Sequence, residues 1–173
     1  MPFRHVLLAL MVVAIWGVNF TVIKLSVTAL PPFLAAALRF TLAAFPAVLF
    51  IRPPQVNWTR IVLFGLSSSF GIYAFLNLAI YFGMTAGLSS VVLQTQAFFT
   101  MILAFFMLGE RPRSVQIAGA VIAFAGIGVI AVERIGEATF LPLFMVVAAA
   151  VCWAGANIVT KRSQGADALA LTV

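Results

Sequence analysis

The sequence predicts an all-α polytopic membrane protein. Of its 173 residues, 64% are hydrophobic and only 8% are charged, whereas a soluble domain carries about 25% charged residues. Apolar runs of about 20 residues recur along the chain, and each is long enough to cross a hydrocarbon layer about 30 Å thick. Backbone polar groups in lipid must pair within their own segment, so each run is predicted to be a helix.

Six transmembrane helices are predicted from the apolar runs and from the polar or proline-bearing breaks between them. The helices run from about 6 to 25, 33 to 51, 61 to 82, 88 to 108, 115 to 132 and 140 to 160. The breaks begin at Pro31, Arg52, Gly83, Gly109 and Glu133, and a loop is predicted from Ser163 onward. The first run follows Arg4 and His5 like a signal peptide, but it continues past Asn19, so we predict an uncleaved helix.

Basic residues fall mainly on one side of this predicted topology. One side carries Arg4, Arg52, Arg60, Arg111, Arg113, Lys161 and Arg162, and the other carries Lys24 and Arg134. Because lysine and arginine are enriched in cytoplasmic loops, the N-terminus is predicted to be cytoplasmic. The scatter of the basic residues also argues against nucleic acid as a partner of this +6 chain, since nucleic-acid binders cluster them on one face.

Two of the predicted helices share a Trp/Asn/Lys signature, which indicates an internal repeat. The first copy is Trp16, Asn19 and Lys24, and the second is Trp153, Asn157 and Lys161. The copies lie in the first and sixth helices, so those helices cross the membrane in opposite directions and the repeat is inverted. We assign residues 6–132 to a first five-helix repeat and residues 140–173 to the start of a second, truncated repeat. In transporters built this way, the substrate site lies near the midplane where the halves meet.

Arg39 is the sharpest candidate for a functional residue. It lies six residues into the second predicted helix, and a charge at the bilayer centre costs about 2.5–3.5 kcal/mol on insertion scales. The functional interpretation is an anchor whose planar guanidinium binds a substrate carboxylate. The alternatives are an arginine that snorkels to the outer interface and a structural partner for carbonyls at a helix end.

Further polar side chains within the spans have two interpretations each. Trp16 and Asn19 share one face of the first helix, and they either line a cavity or pack and hydrogen-bond against a neighbouring helix. Tyr73 and Asn77 belong to a stripe that continues to Tyr81 in the third helix, and this stripe either lines the pathway or joins helices.

Gln94 and Gln96 in the fourth helix are about 200° apart at the ideal helical rotation of about 100° per residue. They cannot both face one cavity, so one is predicted to serve packing between helices. The full set of predicted substrate-binding residues is Trp16, Asn19, Arg39, Tyr73, Asn77, Gln94 and Gln96.

No catalytic or cofactor-binding motif is present in the sequence. The one histidine, His5, precedes the first span, and no phosphate-binding G-x-x-x-x-G-K-[ST] motif occurs. The single cysteine, Cys152, lies in an apolar run and is predicted to be a small buried hydrophobe. We therefore predict that the protein is not an enzyme, and that it has no metal site and no cofactor.

Four stretches of the sequence resemble one known family. They are W-G-V-N-F followed by Lys24, P-P-F-L-A-A-A-L-R-F, G-L-S-S-V-V-L-Q-T-Q-A-F-F-T, and the following L-G-E-R. Together they are similar to the EamA family of the drug/metabolite transporter superfamily, and most similar to its exporters of O-acetylserine and cysteine. The resemblance runs from about Val6 through Lys161.

The resemblance implies a bacterial inner-membrane transporter that exports small amino-acid metabolites by alternating access. Members have ten helices in two inverted repeats, with both termini in the cytoplasm. Six helices are fewer than ten, so we expect a fragment that is completed by a missing second half or a dimer partner. The partners it implies are a small-molecule substrate and the lipid bilayer. The alternatives are an exporter of other metabolites or drugs, and an inactive truncated membrane protein.

Overall fold

A computed structural model describes residues 3–51, 56–134 and 140–163 of the chain, and only the backbone for residues 130–134. Within these residues every regular element is a helix, which confirms the predicted all-α class. The long helical segments are α1 (Phe3–Ala29), α2 (Pro32–Phe50), α3 (Trp58–Tyr81), α4 (Ala86–Leu108), α5 (Ser114–Arg134) and α6 (Phe140–Arg162). Of these, α5 is apolar from Ser114 to Val129, and the other five are long and apolar enough to cross a membrane.

Helix α1 is longer at both ends than its apolar run. Ser26 and Thr28 lie beyond the predicted end, and their hydroxyls donate to the carbonyls of Val22 at 2.8 Å and Leu25 at 2.7 Å. Because these polar groups are satisfied by the backbone of the same helix, they do not terminate it. The helix continues to Ala29, two residues before the first of the prolines at 31 and 32.

Three of the spans are interrupted where unbroken helices were predicted, and only the first interruption has an evident signal in the sequence, Pro46. Helix α2 breaks at Phe45-Pro46, since Pro46 has no N–H for the helical ladder. Helix α3 contains a π-helical segment from Gly65 to Gly71, within which Ser68 donates to the Phe64 carbonyl at 2.7 Å. Helix α4 breaks after Leu93 and resumes at Gln96, with the Thr95 hydroxyl donating to the Val92 carbonyl at 2.8 Å.

The core of the described structure lies where α6 packs against α3 and α4. Three alanines of α6 are fully buried there, Ala149, Ala150 and Ala154. Small residues let helix backbones approach closely, which is how helices associate in a membrane. Val146 of the same helix and Leu76 of α3 are also buried and belong to one apolar cluster. The helix that carries the second signature copy is therefore integrated with the helices before it.

Helices α1 and α5 bury far fewer of their described side chains against other helices than α6 does. Only Ile23 and Val27 of α1 are buried, and most described side chains of α5 are exposed. Phe124 of α5 contacts Phe98 of α4, with ring centroids 4.5 Å apart. The exposed side chains of both helices are mainly apolar, as lipid-facing residues must be.

Candidate functional site

Arg39 contacts the aromatic side chain of Tyr73 across the interface between α2 and α3. Its Nη2 donates to the Tyr73 hydroxyl at 3.3 Å, and its Cζ lies 4.5 Å from the centre of the tyrosine ring. Phe40 packs edge-on against the same ring, at 5.1 Å between centroids. The guanidinium is thus half-buried and held over an aromatic face, an arrangement that favours a desolvated cation.

The charge of Arg39 is not neutralised within the side chains that the structure describes. Among the described side chains, an ion pair joins Lys161 to Glu110, and both of these residues lie outside the apolar part of the spans. A guanidinium has five N–H donors, and one bond to Tyr73 leaves most of them available. The arrangement therefore provides a positive charge with open donors between two spans, which is the chemistry that a carboxylate requires.

Asn77, one turn after Tyr73, makes a contact of a different kind. Its side chain is only 4% exposed, and its Nδ2 donates to the Pro32 carbonyl at 3.0 Å. Pro32 begins α2, so this bond attaches the start of the helix that carries Arg39 to α3. The structure thus places Asn77 between helices.

We expect Asn77→Ala to lower the stability of the folded protein by about 1–2 kcal/mol, because it removes a buried hydrogen bond and leaves a small cavity. Thermal unfolding in detergent measures the change. Tyr81→Phe is the matched control, since Tyr81 lies one turn further along the same stripe and is exposed. Equal unfolding temperatures for Asn77→Ala and the wild type would show that the bond to Pro32 does not stabilise the pairing of α2 with α3.

The tryptophans of the two signature copies contact each other. Trp16 of α1 and Trp153 of α6 are edge-on, with ring centroids 5.6 Å apart. Trp153 also packs against the apolar cluster of the core. Asn19, one turn after Trp16, is half-buried. The structure therefore brings the repeat-related aromatic residues together at a contact between α1 and α6.

Gln96 contacts α6, whereas Gln94 lies on the α5 side of the bundle. Asn157 Nδ2 donates to Gln96 Oε1 at 3.0 Å and to Thr100 Oγ1 at 3.0 Å. Gln94 is exposed and lines a cleft of about 430 Å³ between α4 and α5. The other residues of that cleft are Ser90, Val91, Ala123, Gly126 and Ile127. The two glutamines face different neighbours, as their spacing indicates.

Asn157 is not among the predicted site residues, although its side chain donates two hydrogen bonds to α4. The sequence did contain a signal, since Asn157 is the asparagine of the second signature copy. An unpaired amide within an apolar helix is costly, so its position alone indicated a polar partner. Which helix supplied that partner could not be read from the pattern.

The fold and these polar contacts define a polytopic helical membrane protein with cationic and amide groups held between its spans. The EamA-like transporter family model matches residues 3–132. The chain therefore belongs to the EamA-like transporter family, which identifies it as a transporter-family protein rather than a member of an enzyme family.

Relatives in bacteria and archaea support the same assignment. The chain is 48% identical over 157 residues to a probable amino-acid metabolite efflux pump of Salmonella typhimurium, covering 90% of this chain and 52% of the relative. It is 45% identical to a protein of the same description in Escherichia coli, with the same coverage. An uncharacterized transporter of Archaeoglobus fulgidus is 35% identical, over 86% of this chain and 55% of that protein.

The chain spans about half the length of the curated relatives it matches. No solved structure matches the chain significantly.

Proposed function

We propose that the native gene product exports small amino-acid metabolites across the membrane, with O-acetylserine and cysteine as its leading substrates. The observation that carries the proposal is Arg39, a guanidinium with open donors between two spans. Amino-acid metabolites share a carboxylate, and a bidentate guanidinium is the side chain best suited to bind it. The description of the bacterial relatives as probable amino-acid metabolite efflux pumps supports the same substrate class.

We further propose that export proceeds by alternating access between two inverted halves. The family model covers 3–132, which includes the range 6–132 proposed for the first half, and in this proposal α6 begins the second half. The contact of Trp16 with Trp153 supports the relation between the two copies of the signature. Completion of the transport pathway requires a second half or a second copy of the chain.

The proposed location is the bacterial inner membrane, with the N-terminus in the cytoplasm. Support comes from the end of the bundle where basic residues of separate helices meet. Arg60 Nη1 donates to the Arg162 carbonyl at 2.9 Å, and Arg162 Nη2 donates to the Met107 carbonyl at 2.7 Å. Lys161 pairs with Glu110 at the same end. Three of the residues assigned to the cytoplasmic side by the positive-inside rule, Arg60, Lys161 and Arg162, thus lie at the same end of the bundle.

We expect bacterial cells that overproduce the native gene product to release radiolabelled O-acetylserine and cysteine several-fold faster than cells with an empty vector. Leucine and a purine nucleoside are the comparison substrates, since one is a bulkier amino acid and the other lacks a carboxylate. Faster release of the nucleoside alone would contradict the proposed substrate class. Release of every compound at the rate of the vector control would contradict export altogether.

A further inference from the structure

The amide groups of Asn157 and Gln96 form a one-sided bridge between α6 and α4. Two facing amides can exchange two hydrogen bonds, but here one is made, from Asn157 Nδ2 to Gln96 Oε1. The second bond of Asn157 goes to the Thr100 hydroxyl oxygen at 3.0 Å. Both N–H groups of the Asn157 amide are therefore used within the bridge.

Thr100 fixes the orientation of this bridge. Its hydroxyl has one proton, which it donates to the backbone carbonyl of Gln96 at 2.7 Å, while the alternative contact with Gln96 Oε1 is longer, at 3.4 Å. The oxygen of Thr100 is then an acceptor, and it requires a donor from Asn157. The nitrogen of the Asn157 amide must face Thr100, and its Oδ1 must point away.

Two polar groups of the bridge have no partner among the residues that the structure describes. They are the carbonyl Oδ1 of Asn157, an acceptor, and the Nε2 of Gln96, a donor. Both side chains are half-buried rather than sealed in the core. An unpaired amide is costly away from water, so a ligand that supplies one donor and one acceptor together would complete the bridge.

An α-ammonium beside an α-carboxylate supplies that combination. Arg39 cannot bind the ammonium, since a guanidinium has no acceptor. The described parts of α1 to α4 and of α6 contain no Asp or Glu, so the acceptor for an ammonium must be a neutral oxygen there. The Oδ1 of Asn157 is such an oxygen, and it is oriented by Thr100.

We propose that Asn157 Oδ1 accepts from the α-ammonium of the transported amino-acid metabolite, with Gln96 Nε2 donating to an acceptor atom of the same molecule. Thr100 is a positioning residue that acts through Asn157. The inference rests on the proposed function and adds to it a residue that distinguishes amino acids from other carboxylates.

Two competitors that differ in one group test the ammonium role. O-acetylserine and 3-acetoxypropionate have the same ester and carboxylate, but only the first has an amino group. In transport assays of the native gene product, we expect Asn157→Leu to weaken competition by O-acetylserine about tenfold to a hundredfold, with competition by 3-acetoxypropionate unchanged. Asn157→Asp loses both donor bonds of the bridge but keeps an acceptor oxygen and gains a negative charge, so it should still prefer the amino compound. This variant carries the test if the leucine variant does not fold.

Thr100→Val and Thr160→Val are a matched pair for the positioning role. Both hydroxyls donate to the carbonyl four residues earlier in their own helix, but only Thr100 also accepts from Asn157. Thr100→Val should reduce the preference for O-acetylserine over 3-acetoxypropionate several-fold, and Thr160→Val should leave it unchanged.

The outcomes separate this inference from the function on which it rests. If Asn157→Leu and Thr100→Val weaken both competitors equally, the bridge is structural and the inference is overturned while export stands. If the wild type transports no amino-acid metabolite, the proposed function is wrong and the inference is overturned with it. A selective loss for O-acetylserine establishes the role of Asn157 in recognising the ammonium.

Discussion

Replacing Arg39 with alanine is expected to abolish export while leaving the protein in the membrane. The guanidinium supplies the positive charge for the substrate carboxylate, and each charge-assisted hydrogen bond contributes about 1.5–3 kcal/mol. Losing this anchor should lower kcat/KM about a hundredfold or more, since a factor of ten corresponds to about 1.4 kcal/mol. Transport of labelled O-acetylserine measures the loss, and the amount of protein in purified membranes measures insertion.

Variants that remove different parts of the Arg39 site distinguish a substrate-binding arginine from one with a structural role only. Arg39→Lys keeps the charge but lacks the planar fork, so its loss should be smaller, about tenfold. Tyr73→Phe removes the 3.3 Å bond to Nη2 and keeps the ring under the guanidinium, so only a few-fold loss is expected. Arg60→Ala is the control, because Arg60 lies at the end of the bundle and bonds a backbone carbonyl. Normal transport by Arg39→Ala would contradict the anchor role.

Among glycine-to-alanine variants at the described glycines, Gly71→Ala is expected to lower the stability of the folded protein most. A Cβ at Gly71 would lie 2.7 Å from Cys152 Sγ, and 3.0 Å from both Cys152 Cβ and the Leu66 carbonyl oxygen. The 2.7 Å contact requires the Cys152 side chain to move, and the two 3.0 Å contacts require α6 or the π-helical segment that ends at Gly71 to shift by a few tenths of an ångström. Overpacking of this kind costs about 1–3 kcal/mol, and the gain from replacing a helical glycine is about 1 kcal/mol, so the expected net loss is up to about 2 kcal/mol.

The control for Gly71→Ala is Gly119→Ala in α5, where an added Cβ meets no atom within 4 Å. That variant should unfold at the wild-type temperature or slightly above it. Adding Cys152→Ala to Gly71→Ala removes the closest clash, so the double variant should recover part of the lost stability. Thermal unfolding in detergent measures all of them. A Gly71→Ala protein as stable as the wild type would contradict the close packing of α3 on α6.

The helices and their order follow from local properties of the chain, which is why the sequence predicts them well. A run of apolar residues between Pro31 and Arg52 has few structures available to it in lipid other than a helix. The π-helical segment in α3 depends instead on tertiary contacts, whereas the break in α2 follows locally from Pro46. The π-helical segment in α3 contains Ser67, Ser68 and Ser69 and packs against α6, and no periodicity of the apolar residues reveals that packing.

The partners of the polar side chains were the least predictable part of the site. Arg39 was identifiable because a charge within a span is costly wherever it lies. Its contact with Tyr73, by contrast, depends on how α2 and α3 are rotated against each other. The break after Leu93 changes the rotation between Gln94 and Gln96 from that of an ideal helix. Only the folded chain shows that Gln96 meets Asn157 and that Gln94 faces α5.

Counterflow in proteoliposomes tests the proposed export of amino-acid metabolites most directly. Vesicles that contain the native gene product are loaded with unlabelled O-acetylserine and diluted into a trace of the labelled compound. The proposed function predicts transient accumulation of label in wild-type vesicles and none in vesicles with Arg39→Ala. If wild-type vesicles accumulate no label with either O-acetylserine or cysteine, the proposed function is contradicted.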